Sequence, residues 1–172
     1  MRIATFDLEC SDLRSNFGVL LAAGVKSYQE EPKVLTKGRL GVNDKELCVS
    51  TRNELAKYDI LIGFYSLGFD LKFLNSRLLY WNEPTLPRRL HIDLYRIAKR
   101  YFNTHSKSLA TLTAFLGISG KTHIDFQLWM RAAMEGDRKA IAIIAEHCRQ
   151  DLFITEKLHD RLKSLINSIS LA

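Results

Sequence analysis

Four acidic residues and one histidine stand where their types and spacing could do chemistry. Asp7 and Glu9 lie two apart in RIATFDLEC; if that stretch is a strand, alternate residues face one way and the two carboxylates project together. Asp70 follows the short apolar run YDILIGF and a glycine-containing loop, at the position where a helix should start. Asp151 comes four residues after His147 in HCRQD. On a helix those two share a face with Ala140, Ile144, Leu158 and Leu162, an otherwise apolar stripe. An ionised carboxylate buried there costs several kcal/mol, of the order of the desolvation of one ion, unless charges or metals compensate it. Carboxylates converging from separate elements suit a hard cation such as Mg2+ or Mn2+. Two such ions about 4 Å apart can activate a water and stabilise the leaving oxygen in an in-line attack on a phosphodiester.

Each acid alone has a plainer reading. A D-x-E pair at a strand end is commonly solvated, Asp70 could cap its helix, and Asp93 in HIDL reads as the cap of the helix after it rather than as a fifth acid of the cluster. The acids can act together only if the elements that carry them bring them to one place.

Alternation of Ala4, Phe6 and Leu8 with Thr5, Asp7 and Glu9 predicts a first strand, and the β-capable stretches 18–28 and 32–40 predict a meander with it. Residues 43–57 predict a helix, 58–64 a buried parallel strand, 67–81 a helix through Phe69, Phe73, Leu74 and Leu78, and 90–94 another short strand. The remainder is helical: Leu94 to Tyr101, then helices capped by Ser108, Asp125 and Asp137, two of them ending at Gly117 and Gly136. Three strands, then alternating helices and strands, then helices describe an α/β domain with a five-stranded mixed sheet flanked by helices. Trp129 falls on the apolar face of its helix with Ala132 and Ala133 and reads as core. His91, His105, His123 and His159 have no metal-ligand spacing.

The 172 residues, 47% hydrophobic and 26% charged, fit a single domain over 1–172 with no linker, repeat or low-complexity run. No apolar stretch is long enough to span a membrane, and the amino terminus lacks signal-peptide features, which suggests a cytoplasmic protein. Cys10, Cys48 and Cys148 are an odd count without paired spacing and read as reduced thiols. Of the net charge of +6, the segment from Arg88 to Lys121 carries seven basic residues against the single acid Asp93. Tyr95, Tyr101, Phe102 and Phe115 lie among them, a mixture that could touch phosphates and bases or could simply be a solvated face.

In order along the chain, FDLE, GFYSLGFDLKFL and HCRQDL resemble the three exonuclease motifs of the DEDD superfamily, the DnaQ-like 3′ to 5′ exonucleases of ribonuclease H-like fold. HIDLYRIAKRYF through SLATLTAFLGISGKTHIDFQLWMRAAMEGD is similar to a subgroup related to the exonuclease domain of family B DNA polymerases. The resemblance spans nearly the whole chain. It implies that Asp7, Glu9, Asp70 and Asp151 bind two divalent ions, Mg2+ or Mn2+, and that His147 orients or deprotonates the attacking water. It further implies a nucleic-acid substrate with a free 3′ end, single-stranded, with DNA favoured and nucleoside 5′-monophosphates as products. Tyr65, Phe69 and Lys121 become candidate substrate contacts, and replication or repair proteins candidate partners.

Two departures accompany the match. Tyr65 stands five residues before Asp70, where the second motif often has asparagine. His147 is four residues before Asp151, the spacing the superfamily gives to tyrosine, whereas its histidine normally falls five before, at Glu146 here. His147 can therefore be a general base or a buried structural histidine. An endonuclease or ribonuclease on the same fold, and a binding module without catalysis, stay open as alternatives.

Overall fold

In β1, Ile3–Cys10, the inward set Ala4, Phe6 and Leu8 joins a core under two helices, while the alternate residues Thr5, Asp7 and Glu9 face the opposite layer. The computed structural model describes residues 1–38, 42–119, 126–166 and 170–171. β2, Leu20–Ser27, is almost wholly buried because helices cover both its faces. It pairs antiparallel with β1 and with β3, Lys33–Thr36. β3 is shorter than the predicted stretch, part of which lies outside the described residues.

α1, Lys45–Leu55, leads to β4, Ile60–Gly63, and α2, Asp70–Tyr80, leads to β5, Leu90–Asp93. β4 pairs parallel with both β1 and β5. The five predicted strands thus stand in the order β3-β2-β1-β4-β5, and a two-residue β6, Ser170–Leu171, adds antiparallel to β5.

α1 and α2 cover one face, packing Leu47, Leu55, Phe73, Leu74 and Leu78 on β1 and β2. The other face is covered by α6, Arg138–Leu162, with α3, Leu94–Tyr101, and α4, Leu109–Phe115, beside it. Ser108 and Asp137 cap α4 and α6 by accepting backbone N–H bonds, from Thr111 and from Lys139 and Ala140. α5, Phe126–Met130, runs into a π-helical turn, Arg131–Glu135, that ends at the left-handed Gly136. The predicted cap Asp125 lies outside the described residues.

One buried charge pair ties three elements together. Asp44 accepts hydrogen bonds from Arg77 Nε and Nη2, from Trp81 Nε1 and from the Leu20 amide, so the start of α1, the end of α2 and β2 share one carboxylate. Among the described residues no helix is long and apolar enough to cross a membrane.

Candidate active site

β1 passes its last pairing with β4, Thr5 opposite Ile62, and continues alone on that side. Neighbouring β2 runs antiparallel and β4 parallel, so the chain connections part here, the kind of switch point at which open α/β sheets bind ligands in a crevice beyond the carboxyl ends of their strands. Every predicted acid is found around it.

Asp7 and Glu9 project from β1 toward α6, and opposite them on β2 stand Gly24 and Ala22. A Cβ on Gly24 would lie 2.6 Å from Leu152 Cδ1 and 2.8 Å from Cys148 Sγ, so the missing side chain is what lets α6 lie so close to the sheet. That approach brings Asp151, on the inward stripe of α6, to the Asp7 and Glu9 side of the crevice. Asp70 comes from the other layer. It is the first residue of α2, and its Oδ1 accepts the Leu8 amide at 3.0 Å, an N–H on the stretch of β1 that β4 no longer accompanies.

Cys148 reports the convergence. Burial holds its thiol well above the ordinary cysteine range, and the charges of Asp7, Glu9, Asp151 and Asp70 each push it further. All four carboxylates are therefore within electrostatic reach of one buried sulfur. One ligand atom each from Asp7, Glu9 and Cys148 lie within 4.8 Å of one another, and the thiol also approaches the Asp7 carbonyl oxygen at 3.7 Å.

Burial also pushes Asp70 up to about 7; hydrogen bonds from its own amide and that of Leu8 work against this, and the charge of Asp93 adds to it. Negative charge is crowded here, and the oxygen donors suit a hard divalent cation. A lone sulfur, Cys148, among carboxylate oxygens does not turn the set into a thiophilic one. Asp7, Glu9, Asp70 and Asp151 are the residues that could hold it.

His147 Nε2 stands 3.9 Å from Glu9 Oε1 and 3.8 Å from Asp151 Oδ2. Both separations exceed a hydrogen bond, and they leave the imidazole edge facing the cluster at the reach of a bound water. Behind it, the Trp129 ring is 6.2 Å away and tilted. Trp129 does pack against the core, as its helical spacing predicts, and it is also the wall behind the candidate base.

The substrate-contact candidates separate. Tyr65 adopts φ 60°, is half exposed, and packs its ring on Gly68 and edge-on to Tyr95, 4.8 Å between centroids. Phe69 packs partly into the core beside Phe73. Lys121 lies outside the described residues. Asp93 is the cap of α3 that its position predicts, and it also holds the loop before α2, accepting the amides of Tyr65 and Leu67 as well as that of Tyr95. The loop role was illegible in sequence because the two segments are far apart in the chain. So was the fit of Gly24 under α6, although Cys148 could have been placed on the inward stripe one turn from Asp151.

The predicted basic segment does not form one surface. Arg89 donates to the Ala56 carbonyl before β4, at the amino ends of the strands, and the sheet therefore separates Arg88 and Arg89 from the crevice.

The family model of the RNase_H superfamily matches residues 4–163. A DNA polymerase of Archaeoglobus fulgidus is 26% identical, with 68% of this chain and 17% of that protein aligned. The structure of the family B DNA polymerase of Pyrobaculum calidifontis superposes with a TM-score of 0.79 at 18% identity, covering 95% of this chain and 24% of that one. This chain thus spans about a sixth of the curated relative's length and a quarter of the structural one's. The mixed sheet, the acids at its carboxyl edge and a family match running from β1 to the end of α6 agree: the chain belongs to the RNase_H superfamily.

Proposed function

We propose that this chain is a metal-dependent 3′ to 5′ exonuclease that hydrolyses the terminal phosphodiester of a single strand and releases nucleoside 5′-monophosphates. The observation that carries the reading is the placement of Asp7 and Glu9 beside Cys148, with His147 Nε2 between Glu9 and Asp151 and with Asp70 bonded to the intervening Leu8 amide. Superfamily membership supports nuclease chemistry at this edge, and the likeness to two DNA polymerases favours DNA as substrate.

In this reading the four carboxylates hold two divalent ions, Mg2+ or Mn2+. Such ions, when bound, supply activation of a water and neutralisation of charge at the leaving oxygen. His147 takes the proton of the attacking water at Nε2, since an imidazole can accept a proton near neutral pH where tyrosine mainly positions it. The Leu8 amide fixes the carboxylate of Asp70, and Asp93 fixes the loop that presents Tyr65 to the terminal nucleotide. A domain of this kind would work alone or with a replication or repair protein.

The test is a 5′-labelled single strand, DNA and RNA in parallel, incubated with Mg2+ or Mn2+. A ladder shortening from the 3′ end, abolished by Asp7→Ala, is the expected result. Discrete internal fragments would replace the reading with an endonuclease. Strand binding without metal-dependent hydrolysis would replace it with a binding module.

A further inference from the structure

We infer that the exposed face of α3 is a track for the phosphate backbone of the strand leading into the site, with Arg96, Lys99 and Arg100 as its contacts. This rests on the nuclease reading for its direction, because the strand 5′ of a terminal nucleotide held at the carboxylates must leave the crevice along one of its walls. α3 starts at such a wall: its cap, Asp93, holds the Tyr65 loop, and Tyr65 packs on Tyr95 in the first turn of the helix.

The helix is two-sided. Leu94 and Ala98 are buried and Ile97 packs beside them, which fixes the opposite side toward solvent. Arg96 stands three residues from Lys99 and four from Arg100, so the three share one exposed side over roughly 6 Å of helix rise. None of the three is paired with a carboxylate among the described residues, and α3 has no acid in its first turn. Arg100 lies over the ring of exposed Tyr101 at 5.3 Å, which places an aromatic face at the far end of this side as Tyr65 and Tyr95 do at the near end. A solvated basic face on a stable domain is ordinarily interleaved with acids, as the Lys33, Glu54 and Lys57 cluster is here. Three cations with no carboxylate partner among the described residues, and with aromatic rings at both ends, instead fit a polyanion whose bases can stack.

The experiment measures binding of a fifteen-residue oligothymidylate, without divalent metal, as a function of salt. Arg96→Ala/Lys99→Ala/Arg100→Ala is expected to weaken binding about tenfold at low salt and to reduce the slope of log K against log salt by about 2, from roughly 0.7 per phosphate contact on a single strand. Arg96→Lys/Arg100→Lys keeps the charge and should keep the slope. Arg88→Ala, beyond the opposite sheet edge, should leave it unchanged. Turnover of bis(p-nitrophenyl) phosphate with Mn2+, a substrate with no strand to guide, should be the same in the triple variant as in the parent. An unaltered salt slope in a triple variant with parental thermal unfolding would overturn the track, as would an unaffected affinity. Failure of the parent to hydrolyse either substrate would count against the nuclease reading alone, since the binding slope decides the track independently.

Discussion

His147 Nε2 and Asp151 Oδ2 lie 3.8 Å apart, one turn of α6 apart in sequence, with Glu9 Oε1 3.9 Å from the same nitrogen. An imidazole in that place can receive a proton from a water between the two carboxylates. His147→Ala is therefore expected to lower kcat by about 10²- to 10⁴-fold, the usual contribution of a general base, with a smaller effect on KM. His147→Tyr should recover part of the loss by positioning the water, but with a flattened pH profile. Steady-state kinetics from pH 5.5 to 9 check this, and unchanged turnover in His147→Ala would make the histidine structural.

The crowding of acids predicts that cations stabilise the fold. A ligand that binds only the folded chain adds about 2.7 kcal/mol at one hundred times its Kd, which for a domain of this size raises Tm by roughly 5 to 10 °C at about 2–4 °C per kcal/mol. Scanning calorimetry with increasing Mn2+ should show that rise in the parent. Asp151→Asn and Asp70→Asn should each lose most of it, because each removes one of the oxygens that would hold the ion.

Much of this site was legible in the sequence, for a physical reason. Strand period two puts Asp7 and Glu9 on one side, and helical spacing puts Asp151 on an inward stripe, so local geometry alone aims three acids. Ser108, Asp137 and Asp93 announced their helix starts in the same local way. What stayed hidden depends on contacts between distant segments: the loop-holding role of Asp93, the Asp70 bond to the Leu8 amide, and the sheet that separates Arg88 and Arg89 from α3. Charge along a sequence says nothing of which sheet edge each residue reaches. The sixth strand, two residues long, is too short to carry a period in the sequence.

Gly24 is one of those hidden contacts, and it links packing to chemistry. Gly24→Ala would set a methyl 2.6 Å from Leu152 Cδ1 and 2.8 Å from Cys148 Sγ, both on the helix that carries His147 and Asp151. Overpacking of this kind costs about 1–3 kcal/mol, and α6 should relieve it by moving away from Asp7. The expected result is a lower urea midpoint together with a kcat lowered by about tenfold or more, since small misplacements of reacting groups are costly. Combination with Cys148→Ala, which clears part of the space, should recover part of the stability, so that the two changes are non-additive in a double-mutant cycle.

His91 gives a pH dependence away from the acids. It is buried on β5, its Nε2 shares a hydrogen bond with Ser66 Oγ at 2.8 Å, and its ring meets Phe6 edge-on. Burial, helped by the positive charge of Arg96, lowers its pKa from 6.5 to about 4. The unfolded chain therefore binds a proton at this residue between those values while the folded chain does not. Stability from this group is complete above pH 6.5 and falls as the pH drops toward 4, by at most about 3 kcal/mol at 1.36 kcal/mol per unit. His91→Gln keeps a polar partner for Ser66 and does not titrate. Urea midpoints measured from pH 4 to 7 should slope less for the variant than for the parent, and parallel slopes would show that His91 is protonated without penalty in the folded chain.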